Sequence, residues 1–190
     1  HEAIALACDV SDAAACERAI AAAVERLGAI DLLVANAGIT HRSAFAATRP
    51  EVIRRVMEVN FFGAVHCTQA ALPQLRARRG AIVVISSVAG FAPLVARTGY
   101  AASKHALHGF FESLRTELAP EGVDVVMVCP SFVATGIDRH ALGRDGQPAR
   151  HAQRVIGRRA QPADVARQVL RAAARGQRLL LVGATAHLAW

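Results

Sequence analysis

Tyr100 and Lys104 are the only tyrosine and the only lysine in this chain of 190 residues, and they stand four positions apart in the stretch "GYAASKHALHGF". On a helix that spacing brings both side chains to one face. A phenol ionises near pH ~10 in water, too high for ready proton exchange at neutral pH. A positive charge about 5 Å away, at an effective dielectric of about 20, is worth roughly 3 kcal/mol, or about two pKa units. The phenol would then approach the range useful for acid–base work. Ser87 stands thirteen positions before Tyr100, at the end of an apolar run, where a hydroxyl can hold a substrate oxygen beside the phenol. Neighbouring strand residues point to opposite faces, so only one of Ser86 and Ser87 is expected to face such a site. An isolated YxxxK is also an ordinary exposed helix pair, and the surrounding elements must decide between the two.

Those elements alternate. Short apolar runs at residues 3–8, 31–35, 81–86, 123–129 and 178–182 predict five strands. Between them the pattern predicts a helix over 11–27 stopped by Gly28, a long one over 48–79 bent at Pro73, one over 99–118 and one over 162–175. Leu107, Phe111, Leu114 and Leu118 give the third of these a buried stripe. Strands that read as continuous apolar runs are covered on both faces, so the expected fold is α/β: a parallel sheet sandwiched by helices, in one domain. Ligands of such sheets bind beyond the carboxyl ends of the strands. The residues there are small and polar: "DVSD", "NAGIT", "SSVAG" and "PSFVAT".

Composition narrows the classes. The apolar content of 53% describes a globular chain with a substantial core. The formal charge of +7 comes from scattered arginines with no nucleic-acid-binding signature, so no nucleic-acid partner is expected. Cys8, Cys16, Cys67 and Cys129 form no zinc-type spacing and read as reduced core thiols. The longest uncharged run, 80–96, is too short and too polar at Ser86 and Ser87 for a membrane span. The reading is cytoplasmic, with no membrane partner.

Taken in order, "DV" at Asp9 and Val10, "NAG" at Asn36, Ala37 and Gly38, "VNFFG" around Asn60, "ISS" ending at Ser87, "YAASK" from Tyr100 to Lys104 and "PSFVAT" from Pro130 resemble the short-chain dehydrogenase/reductase family over nearly all of the chain. The resemblance implies a doubly wound, Rossmann-like sheet and a nicotinamide-dependent interconversion of a secondary alcohol and a ketone. It implies that Tyr100 is the acid–base group, that Ser87 binds the reacting oxygen, and that Lys104 lowers the phenol pKa and holds the nicotinamide ribose. Asn60 would bind a water linking Lys104 to solvent; without the family context, a local hydrogen bond or a kink is the plainer reading of a helix-internal asparagine. NAD or NADP would be bound by Asp9 and Val10 at the adenine, by Asn36, Ala37 and Gly38 through close backbone approach, by Tyr100 and Lys104, and by Pro130, Val133 and Thr135 near the nicotinamide. The partners implied are a small alcohol or ketone with an apolar portion and further copies of the chain, as a homodimer or homotetramer.

Two features depart from the family pattern. Ser131 follows Pro130 where glycine is usual. The glycine-rich phosphate loop is also missing, since the fourteen glycines form no GxxxGxG cluster. The sequence is expected to start at the family's third strand, without the first two, and to bind dinucleotide poorly by itself. A catalytically silent fragment serving as an interaction module is the alternative reading, and a nucleotide-sugar epimerase, which shares YxxxK, a third. His105, His108 and Glu112 have helical spacing but read as surface or interface groups, and no metal is expected. Val88 to Arg97 should line the pocket, with Phe91 and Leu94 as its apolar surface. The basic segment from Arg139 to Arg159, including His140, Arg144, Arg150, His151, Arg154 and Arg158, reads as a solvated loop or as a cover for an acidic substrate or an acyl carrier protein.

Overall fold

A computed structural model describes residues 3–150 and 159–190. His151, Arg154 and Arg158 of the basic segment lie outside the described residues. In chain order the elements are α1 (Ala13–Leu27), β1 (Leu32–Ala35), α2 (Pro50–Met57), α3 (Gly63–Arg78), β2 (Ala81–Ile85), α4 (Thr98–Leu118), β3 (Asp124–Pro130), α5 (Pro162–Ala174), β4 (Leu179–Val182) and α6 (Ala184–Ala189). The four strands form one parallel sheet in the order β1-β2-β3-β4.

Period-two alternation divides the core between the two faces of this sheet. Ile82, Val84, Val125 and Met127 face one way, packed with Leu75 of α3 and with Leu107 and Phe111 of α4. Val83, Val126 and Val128 face the other, packed with Val169 and Ala172 of α5. Both faces are therefore dry, as the uninterrupted apolar runs require. The local signals hold as well. Asp12 caps α1 by accepting from the Ala14 and Ala15 amides, and Gly28 ends it with φ 88°.

Two expectations about elements are corrected, and one element is new. Residues 3–8 form no strand; they run exposed, because no described strand lies beside them to complete a ladder and β1 is the edge of the sheet. The long helix runs from Pro50 to Arg78, widening to a π-helical turn at Glu58–Phe62, and passes through Pro73 unbroken. Pro73 sits on the exposed side of α3, where solvent can satisfy the carbonyl its missing N–H leaves free. The final short helix, α6, was not anticipated, because its apolar residues continue the pattern of β4 without a change of period.

Candidate functional site

A cavity of about 880 Å³ opens at the carboxyl edge of the sheet. Ser87 reaches it from the end of β2, and Tyr100 and Lys104 from the first turns of α4. Pro130, Val133 and Thr135 enter beyond β3, and Asn36 and Gly38 beyond β1. A smaller cavity of about 330 Å³ lies past the Asn36-Ala37-Gly38 turn and shares Asn36, Gly38 and Thr135 with the first. A parallel sheet delivers all its strand ends to one edge, which is why segments distant in sequence meet here.

Lys104 is buried. Its Nζ donates to the Ile85 carbonyl at 2.8 Å and stands 5.7 Å from the centre of the Tyr100 ring. Burial pushes the ammonium down to about 8. The Tyr100 phenol lies above its ordinary value because burial outweighs the Ser87 hydroxyl and the Arg97 charge, which act the other way. Of the charges beside the phenol, Arg97 acts to lower its pKa and Asp138 to raise it, and desolvation exceeds both. The Ser87 hydroxyl, which acts to lower the phenol pKa, accepts from the Ala89 amide at 3.1 Å. Ser86 faces the other way into the structure: its hydroxyl lies 3.0 Å from His108 Nε2 and donates to the Lys104 carbonyl at 3.4 Å.

Asn60 stands within the π-helical turn, a widening frequent at functional sites. Its carboxamide is spent on protein groups. Oδ1 accepts from the Ile39 amide at 2.8 Å, and Nδ2 donates to the Ile39 carbonyl at 2.9 Å and to Ser103 Oγ at 2.9 Å. Ser103 in turn donates to the Tyr100 carbonyl at 2.7 Å. Asn60 thus joins the backbone following Gly38 to the first turn of α4, a bracket rather than a lining group.

Further residues position the site without having been singled out by their spacing. Buried His41 accepts at Nε2 from the Gly99 amide at 2.9 Å, so an imidazole lone pair holds the start of α4. Arg97, also buried, lines the cavity with Asp138. The interruption of the uncharged run 80–96 by Arg97 was the only sequence signal for it. Nothing local announced His41 or Asp138.

Other expected residues lie elsewhere. Asp9 and Val10 do not line the cavity. The Asp9 carboxylate accepts from the Ser11 amide at 3.0 Å and hydroxyl at 2.7 Å, and Val10 packs on Gly63, where a Cβ would come within 2.7 Å of its side chain. Leu94 lines the cavity, whereas Phe91 packs edge-on against Trp190 at 4.9 Å. His105 bonds the Ala101 carbonyl and Glu112 pairs with Arg115 and Arg178. Among the described residues no group of three His, Cys, Asp or Glu is placed to hold a metal ion, and no helix is long and apolar enough to cross a membrane.

The geometry agrees with comparisons to known proteins. The family model described as short chain dehydrogenase matches residues 1–144. Dehydrogenase/reductase SDR family member 7B of Xenopus laevis is 38% identical over 175 residues, covering 92% of this chain and 54% of that protein. Human dehydrogenase/reductase SDR family member 7 is 40% identical over 136 residues, 70% of this chain and 40% of that one. The chain spans about half the length of the curated relatives it matches. A short-chain dehydrogenase from Streptomyces avermitilis superposes with a TM-score of 0.81 at 29% identity, covering 99% of this chain and 72% of that one. One from Burkholderia cenocepacia, solved in complex with NADP, superposes at 0.82 with 28% identity, covering 98% and 74%.

Proposed function

The chain belongs to the short-chain dehydrogenase family, and from that premise we propose that it interconverts a secondary alcohol and a ketone with a nicotinamide dinucleotide, NAD or NADP, using Tyr100 as the proton donor and acceptor. One observation carries the reading: Ser87, Tyr100 and Lys104 open into a single cavity at the carboxyl edge of the sheet. The residues present fit the nicotinamide end of the cofactor. An ammonium has three donors, and among the described residues Lys104 gives one to Ile85, leaving donors for ribose hydroxyls. The cleft continues past the Asn36-Ala37-Gly38 turn, so those residues, with Pro130, Val133 and Thr135, would hold the dinucleotide, and Asp9 and Val10 would meet its adenine end.

When bound, the nicotinamide supplies or accepts hydride. Everything else falls to the chain. Ser87 orients the substrate oxygen toward the phenol, and Tyr100, kept protonated by burial, donates to that oxygen in the reductive direction. Lys104 then replaces the lost proton charge with a nearby cation, which favours the phenolate left behind. Asn60 and Ser103 act by holding the first turn of α4 in register with the turn after β1.

The test is a panel of ketones with NADH and NADPH, with Tyr100→Phe as the control. Oxidation of either nicotinamide dependent on ketone and lost in the variant supports the reading; equal rates in the variant overturn it.

A further inference from the structure

Arg97 is an unusual lining residue. Its side chain is 9% exposed, and an arginine so buried requires compensation. Asp138 supplies it incompletely. The nearest approach is 3.6 Å, from Arg97 to Oδ1, an ion-pair distance rather than that of a tight bidentate fork. Asp138 is shared: Arg159 reaches its Oδ2 at 3.4 Å, and Arg42 lies 3.8 Å from its Oδ1. Leaving Arg42 aside, two guanidiniums divide one carboxylate and one positive charge is in excess. Among the described residues Arg97 makes no other ion pair.

The backbone delivers Arg97 to this place under strain. Ala96 takes φ 58°, a left-handed conformation unfavourable for an L-residue. It is held there as the Ser43 amide donates to the Ala96 carbonyl at 3.0 Å. Strain of this kind persists where surrounding structure enforces it, and it clusters at ligand sites. The next residue is Arg97, whose guanidinium shares the cavity with Tyr100 and with apolar Leu94 and Ile137. A carboxylate needed only to tie the loop after β3 to the start of α4 would require a single cation.

We propose that Arg97, held by Asp138, recognises an anionic group on the substrate, so that the ketone or alcohol carries a carboxylate or a phosphate on the chain that bears the reacting carbon. The inference rests on the alcohol–ketone reading and names its substrate class. Asp138 keeps the guanidinium aimed while the shared pairing leaves donors for the ligand. An oxyanion bound there would complete the neutralisation that Asp138 leaves unfinished, and the apolar flank would take the rest of the chain.

The experiment compares three ligands of equal length, an oxoalkanoate, its methyl ester and the corresponding oxoalkyl phosphate, with the carbonyl placed at successive positions. Binding to the full chain is measured by titration calorimetry with and without saturating NAD(H) and NADP(H), and turnover is measured in parallel. At one or more positions, one anionic form should bind at least tenfold more tightly than the ester, and which one does so separates carboxylate from phosphate recognition. Arg97→Met should bring that ratio to within about twofold, while Arg97→Lys retains part of it. Should Arg97→Met not fold, Arg159→Ala, at an exposed position, is expected to strengthen the preference for neither form but to weaken anion binding several-fold. Esters binding as well as the anions at every position in the parent chain, or no measurable binding of any, overturns the proposal. Anion-selective binding without turnover leaves it standing and removes the oxidoreductase reading instead.

Discussion

Asn60 grips Ile39 at both its backbone groups: Oδ1 accepts from the amide at 2.8 Å and Nδ2 donates to the carbonyl at 2.9 Å. It does so from the π-helical turn Glu58–Phe62. Replacement by alanine strands buried polar groups, each costing about 1–3 kcal/mol. Asn60→Ala should therefore lower stability by several kcal/mol in denaturant titration. Combined with Ser103→Ala, it should show non-additivity on the order of 1 kcal/mol, since the two residues share one bond.

Tyr100→Phe removes one hydroxyl from the cavity and leaves the ring. Its expected effect is a loss of about 10²- to 10⁴-fold in kcat, the range typical of a positioned acid or base. KM for the ketone should change much less. Steady-state kinetics with the best substrate of the panel measures both.

Lys104 gives the reaction a pH limit. Burial holds its ammonium at about 8, so kcat/KM for reduction should be flat up to about pH 7.5 and fall above 8 as the charge is lost. Lys104→Arg, which keeps its charge, should lack that fall. Stability moves in the opposite sense. The folded form releases its proton near 8, below the 10.5 of an ordinary lysine, so between these values the unfolded chain binds more protons and stability rises with pH. Lys104→Met should accordingly be more stable than the parent below pH 8, with the difference shrinking toward pH 10.5 in chemical denaturation.

Gly90 is packed too tightly for a side chain. A Cβ there would lie 2.6 Å from both His108 Nε2 and Ser86 Oγ. Gly90→Ala must displace the Ser86–His108 contact that backs Lys104. Overpacking of this kind typically costs 1–3 kcal/mol, readable as a lowered Tm with activity reduced at temperatures well below it.

That Ser87, Tyr100 and Lys104 share one cavity was legible because these residues lie close together in sequence. Ser87 ends a strand, and Tyr100 and Lys104 begin the next helix, so local periodicity places them within one strand–loop–helix unit. The partners of Asn60 were not legible, as Ile39 and Ser103 come from two other segments and only the folded sheet edge brings them in. Arg97 and Asp138 meet by the same route. The strand expected over 3–8 shows the converse limit: an apolar run carries strand character, but a ladder needs a neighbour. Pro73 was misjudged because a proline on an exposed face of a helix meets solvent, whereas the π-helical turn at Asn60 faces the demands of a distant backbone.

His41 is the latch of α4, and it is fastened by a lone pair. Burial and the Arg97 charge depress the basicity of its ring, which favours the neutral form whose Nε2 receives the Gly99 amide. Strong acid would turn that receiver into a second donor facing an N–H. The Tyr100 phenol, one residue further along, would then lose its mooring before the sheet itself had any reason to unravel.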